Sequence, residues 1–118
     1  EWLRFDYAFS LVLQRRFGDA SPYLKEGLSS KDAVLALLSA YLLGSLVATA
    51  APQPDEAAAL VAQADACRAS LRKRFPPHRW TREVERAKAE IHIVILSKLI
   101  DDAGTWLFET PAPAAPKA

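Results

Sequence analysis

The chain has 118 residues, 51% of them apolar and 25% charged, with a net charge of +1 at pH 7. Such values describe one folded globular domain and exclude both disorder over most of the length and a general electrostatic attraction to nucleic acid. The single cysteine, Cys67, excludes an intrachain disulfide and a thiolate metal cluster and fits a reducing cytoplasm, while abundant alanine and the absence of asparagine fit a GC-rich bacterial coding sequence.

The first segment, EWLRFDYAFSLVLQRRFG, places Trp2, Phe5, Phe9, Val12, Leu13 and Phe17 at steps of three and four, the spacing of an amphipathic helix. Gly18 is the expected C-terminal cap, with Arg15 and Arg16 suited to the negative helix end. Trp2, Phe5 and Phe9 are rigid aromatic anchors of the kind that dominate protein interfaces, so this helix is the expected partner surface. The plainer alternative makes the same face the fourth side of the core. The next stretch, DASPYLKEGL, holds Pro22 and Gly27 and predicts a connection with at most one helical turn. In SSKD, Ser29 is the expected cap of a second helix, with Asp32 three residues on.

Residues 33–52, AVLALLSAYLLGSLVATAAP, carry no charge over 20 positions. A membrane span needs about that length. Ser39, Tyr41, Gly44, Ser45 and Thr49 dilute the run, however, and no aromatic belt marks its ends. The other helices also have apolar faces that need a neighbour, so a bundle centre is the better expectation. Ala36, Ala40, Gly44 and Ala48 recur every fourth residue and form a smooth face for close helix packing or dimerisation, opposite Leu35, Leu38, Leu42 and Leu46.

A third helix is expected to start at Pro54, with Asp55 and Glu56 in its first turn, and to carry Leu60, Ala64, Cys67, Leu71 and Phe75 on one stripe up to Pro76. A fourth is expected from a Thr81 cap to about residue 108, burying Val84, Ala87, Ile91, Val94, Ile95 and Leu99. The β-branched run IHIVIL at 91–96 could be a strand, but its flanks are helix-like and no second strand is there to pair with it. The end, TPAPAAPKA, is an expected disordered Pro/Ala tail.

Little chemistry is encoded. Arg86 and His92 make an R-x5-H pattern, the mark of HEPN-type ribonucleases, in which such a pair acts on RNA phosphate. On an ideal helix the two point about 120° apart, and an exposed arginine with a half-buried histidine explains them as well. Arg68, Arg72, Lys73, Arg74, His78, Arg79 and Arg82 cluster around Phe75 and Trp80; a nucleic-acid contact is the sharper reading, a neutralised helix end the plainer one. Cys67, His78 and His92 share no ligand spacing, so no metal is expected. Asp101 and Asp102 are adjacent and cannot face one another, and no phosphate loop or nucleophile elbow is present.

The stretch EVERAKAEIHIVILSKLIDDAG, residues 83–104, resembles the C-terminal helix of the TraM-type quorum-sensing anti-activators in its Glu90–Ile91–His92 triplet, its Leu99–Ile100 step and its later Gly104. The resemblance covers that one helix. It implies a small dimeric helical protein without catalysis that binds a LuxR-type transcription factor and blocks its dimerisation or DNA binding.

The expectation is an all-α, four-helix-bundle-like domain over residues 1–109, homodimeric and cytoplasmic, with a tail at 110–118. It acts by binding another protein, without cofactor, metal or catalytic residues; contacts with nucleic acid or membrane are not expected. A HEPN-like ribonuclease or toxin-system component and a membrane-anchored accessory subunit are the alternatives.

Overall fold

A computed structural model describes residues 2–50, 53–90 and 94–108, apart from the side chains of 48–50 and 78. The described residues form six α-helices: α1 (Trp2–Leu13), α2 (Phe17–Gly27), α3 (Ala33–Ala50), α4 (Pro54–Arg74), α5 (Pro77–Glu90) and α6 (Val94–Phe108). The all-α expectation holds, and no strand occurs among these residues. The expected helix count of four is corrected to six. Ile91, His92 and Ile93 and the tail from 109 onward lie outside the described residues.

The first correction lies between α1 and α2. α1 stops at Leu13, well before Gly18, because the chain turns left-handed at Arg15 (φ 62°). The Arg16 N–H donates to the Leu11 carbonyl at 2.8 Å and the Arg15 N–H to the Val12 carbonyl at 3.0 Å. That pair of bonds is a Schellman closure, with arginine in the position glycine usually holds. Gly18 instead lies in the first turn of α2, a helix of 11 residues where a connection was expected. Pro22 sits inside it. A proline removes one helical hydrogen bond and crowds the residue four back. That residue is Gly18, exposed and without a side chain, so its carbonyl can turn to water. Buried Ala20 and Leu24 hold the helix to the core.

The cap of α3 is Asp32 rather than Ser29. Its Oδ1 accepts the N–H groups of Val34 at 3.0 Å and Leu35 at 3.3 Å, while Ser30 Oγ accepts the Asp32 N–H at 3.1 Å. Asp32 Oδ2 also accepts the Trp2 indole N–H at 2.9 Å, so one carboxylate starts α3 and fastens the beginning of α1 to it.

α3 is the centre of the molecule. Leu35, Leu37, Leu38 and Leu43 are at most 1% exposed, and α3 touches each of the other five helices. Most of its described apolar side chains are therefore covered by neighbours within the chain. Among the described residues no helix is long and apolar enough to cross a membrane. α4 starts at Pro54 as expected, with Asp55 and Glu56 in its first turn. The expected fourth helix is two helices: Pro77 opens α5 as a favoured first residue, and Thr81 lies within it, its hydroxyl donating to the Pro77 carbonyl at 3.0 Å. The part of IHIVIL that is described, Val94–Leu96, is helical.

Candidate interaction surfaces

The aromatic residues of α1 point into the molecule. Phe5 is 3% exposed, Trp2 is half-buried on its bond to Asp32, and Phe9 is half-buried and stacked on Phe5 with ring centroids 6.2 Å apart. This face packs on the core, and α2 lies alongside α1. Off that stripe, the outer face of α1 carries Leu3 and Tyr7, 84% and 51% exposed, while Leu13, expected on the stripe, is 64% exposed at the end of the helix. Tyr7 meets Tyr23 of α2 edge-on at 5.3 Å, and Arg4 pairs with Glu26 beside it. Leu3 and Tyr7 thus stand uncovered on the outer side, among the exposed Arg4, Asp6 and Ser10. Sequence reasoning passed over Leu3 and Tyr7 because they fall outside the strongest stripe; their place off that stripe is the signal for the outer face.

The small-residue stripe of α3 meets α4 of the same chain. Cys67 Sγ lies 3.8 Å from the carbonyl oxygen of Ala36, and a Cβ added to Gly44 would stand 3.9 Å from Ala64 Cβ. Ala36 and Ala40 are buried, and the side chain of Ala48 lies outside those described. The two helices come this close because both present small side chains at the crossing. At the Gly44 end the missing side chain opens a notch of about 240 Å³, walled by Tyr41, Val61, Asp65 and Trp106. Burial pushes the Cys67 thiol pKa up, and Arg74 pulls in the opposite direction to a lesser degree. A thiol held protonated in this way is a packing group rather than a nucleophile.

The basic cluster divides into separate tasks. Arg68 stacks over Trp106 with its guanidinium carbon 4.7 Å from the ring centroid, donates to the Trp106 carbonyl at 3.4 Å and pairs with Asp65 at 3.4 Å. Arg72 donates to the Leu107 carbonyl. These two side chains of α4 close the C-terminal end of α6, where free carbonyls and the helix dipole favour cations. Arg74 and Arg79 lie over the ring of buried Phe75, at 5.1 and 5.5 Å. Arg86 is exposed and pairs with Glu83 at 2.7 Å; its expected companion His92 falls outside the described residues. Lys88 donates to Asp101 at 2.7 Å, joining α5 to α6, and that hydrogen bond raises its pKa. Among the described residues no group of His, Cys, Asp and Glu could hold a metal ion. Of the residues that carry the anti-activator resemblance, Ile100 is buried, Leu99 is half-buried, and Gly104 faces the Trp80 indole.

These features define a small all-α domain built around one apolar helix, with apolar side chains left uncovered on its first helix. The chain belongs to the family described as "Uncharacterised Treponema protein", which matches residues 1–109. It is 31% identical over 113 residues to an uncharacterized protein of Treponema pallidum (strain Nichols), an alignment that covers 91% of this chain and 36% of that protein. The chain therefore spans about a third of the length of the curated relative it matches. No solved structure matches it.

Proposed function

We propose that the chain is a non-catalytic helical module that binds another protein through the outer face of α1. The observation that carries this reading is the pair Leu3 and Tyr7, one turn apart on that face and 84% and 51% exposed, with Leu13 64% exposed at the helix end. Apolar side chains grouped on one helix face, with an aromatic among them, are the usual material of a protein interface. The finer form of the proposal takes the partner to be a LuxR-type transcription factor, held away from its own dimer partner or from DNA. That form rests on the resemblance at Glu90–Ile91–His92, Leu99–Ile100 and Gly104.

The test uses two surfaces of one helix. Leu3→Asp/Tyr7→Asp alters only the exposed face and is expected to keep the helical circular dichroism while abolishing capture of the partner that the wild type retains. Phe5→Asp buries a charge and is expected to unfold the chain. Undiminished capture by a folded Leu3→Asp/Tyr7→Asp variant would sink the proposal. For the finer form, adding the chain should release a LuxR-type regulator from its DNA site in a gel-shift titration, and no release at a large molar excess would remove it.

A further inference from the structure

The elbow between α4 and α5 turns part of its basic cluster to solvent. Arg68 and Arg72 serve the end of α6. Arg74, Arg79, Arg82 and Arg86 are exposed. Arg79, Arg82 and Arg86 follow one another at steps of three and four and so share one face of α5. Together with Glu83 they line one shallow depression of about 220 Å³. Arg74 reaches the same end of the helix from α4, since its guanidinium and that of Arg79 lie over the same Phe75 ring. Glu83 pairs with Arg86; among the described residues no carboxylate pairs with Arg74, Arg79 or Arg82. Like charges at this helical spacing repel one another. The first turn of α5 also holds no acidic residue, whereas that of α4 holds Asp55 and Glu56. The positive end of the α5 dipole therefore has an arginine where a carboxylate is favoured. Both features cost stability, and an anion from outside relieves both.

We propose that this arginine stripe holds the phosphate backbone of duplex nucleic acid, without regard to base sequence. Guanidinium groups meet phosphate oxygens with paired N–H donors. From Arg79 to Arg86 the stripe runs about 10 Å at 1.5 Å per helical residue. One strand of a duplex offers a phosphate about every 3.4 Å along the axis, so these three arginines and Arg74 beside them reach about three to four phosphates. Among the described side chains of α5 no large apolar one is exposed, so the stripe has neither the anchor of a protein interface nor the apolar face of a membrane-surface helix. The neighbouring aromatics Phe75 and Trp80 are 9% and 3% exposed and give unpaired bases no platform to stack on. Charge and reach are what the stripe offers, and these are the means of backbone contact. The net charge of +1 averages this stripe with carboxylates on other helices, such as Asp55, Glu56, Asp101 and Asp102. No residue of the outer face of α1 takes part, so this reading and the partner reading can fail separately.

The test titrates the chain into a fluorescein-labelled DNA duplex of about 20 base pairs at about 50 mM salt and reads anisotropy. Binding is expected in roughly the micromolar range, with log K falling against log salt at a slope of about −3. Arg79→Ala/Arg82→Ala/Arg86→Ala should keep the helical circular dichroism, weaken binding about tenfold or more and flatten the slope to about −1. Lys25→Ala/Lys31→Ala/Lys98→Ala removes the same net charge from exposed positions off the stripe and should leave the affinity within about twofold. No binding by the wild type, or equal losses in the two triple variants, overturns the proposal. A preference of more than about tenfold between two duplexes of unrelated sequence also overturns it, because backbone contacts carry no sequence information. So does tighter binding of a single strand of the same length, of a polyglutamate peptide or of vesicles containing phosphatidylserine, each of which would put a different anion on the stripe.

Discussion

The α2/α3 crossing and the α5/α6 hairpin each hold a glycine against the facing helix, and the space around the two glycines differs. A Cβ on Gly27 would lie 2.1 Å from Ser39 Oγ and 3.0 Å from Ser39 Cβ. A Cβ on Gly104 would meet its nearest neighbour, Trp80 Nε1, at 3.8 Å. In the first place the Ser39 side chain leaves no room for a Cβ; in the second the glycine is a floor with room above it. The difference extends beyond the glycines. The crossing of α2 and α3 is sealed by Leu24, Leu35 and Leu38, each at most 1% exposed. Among the described side chains of α5 the only buried hydrophobic one is Trp80, with Val84 and Ala87 half-buried, and the α5–α6 pair is tied by the exposed Lys88–Asp101 bridge. One half of the molecule is closely packed at this crossing, and the other leaves an open groove.

The largest effect that tests this contrast is loss of side-chain volume. Leu38→Ala removes a side chain with no exposure and is expected to cost about 3 to 5 kcal/mol. Val84→Ala, at a half-buried position facing the groove, is expected to cost about 1 kcal/mol or less because no closed cavity is left behind. Urea unfolding followed by circular dichroism measures both, and equal costs would abolish the distinction between the halves.

Next in size is a single added methyl group at each glycine. Gly27→Ala is expected to destabilise by about 1 to 3 kcal/mol, because Ser39 is wholly buried and has nowhere to go. Gly104→Ala is expected to stabilise by about 0.5 to 1 kcal/mol, since an ordinary contact is made and a mid-helix glycine is lost. Ser39 Oγ is buried without a hydrogen-bond partner, so Ser39→Ala should cost little alone and should recover part of the Gly27→Ala loss. Two substitutions of the same sign would show that the crossings are packed alike.

A smaller effect is expected at the turn that separates α1 from α2. Arg15 adopts φ 62°, a conformation that costs a side-chain-bearing residue about 1 kcal/mol and glycine almost nothing. Arg15→Gly should therefore raise stability by up to about 1 kcal/mol, less the extra freedom that glycine brings to the unfolded chain. A lowered urea midpoint would mean that the arginine side chain contributes more than its backbone strain costs.

This turn also shows why the sequence was only partly legible. Periodicity reveals which residues lie on one face and located α1, the uncharged run placed α3 at the centre, and Pro54 with Asp55 and Glu56 marked the start of α4. It does not reveal where a helix stops when the stopping residue is an arginine in a conformation typical of glycine. Gly18 drew the boundary three residues too late, and Pro22 then disguised α2 as a connection. The small stripe Ala36–Ala40–Gly44 was legible as a face for close approach, but spacing along one helix does not identify the helix that approaches. Leu60, Ala64, Cys67 and Leu71 of α4 bear the complementary row, and both rows were readable separately. The aromatic residues of α1 were legible as one stripe, yet a stripe that regular faces the core, and the surface is what falls off it. The groove could not be read at all, since it arises where Gly104 and Trp80, 24 positions apart, come together.

The smallest expected effect probes the α3/α4 contact on the sealed side of the comparison. Burial raises the Cys67 thiol pKa in the folded chain, with Arg74 opposing, whereas in the unfolded chain the thiol titrates in its ordinary range. The folded state therefore holds the proton more tightly. Its contribution to stability is full below the ordinary thiol pKa and is lost as pH rises through the raised, folded value. Urea midpoints should decline between neutral pH and about pH 10, the range in which an ordinary thiol titrates. Cys67→Ala should flatten that part of the decline while leaving the contribution of lysines such as Lys88, whose raised pKa acts in the same direction. Alkylation of the native thiol should lag behind that of the urea-unfolded chain at the same pH. Equal alkylation rates, or an unchanged pH slope in Cys67→Ala, would mean that the close face between α3 and α4 opens to water readily and that the sealed half of the molecule is no tighter than the groove side.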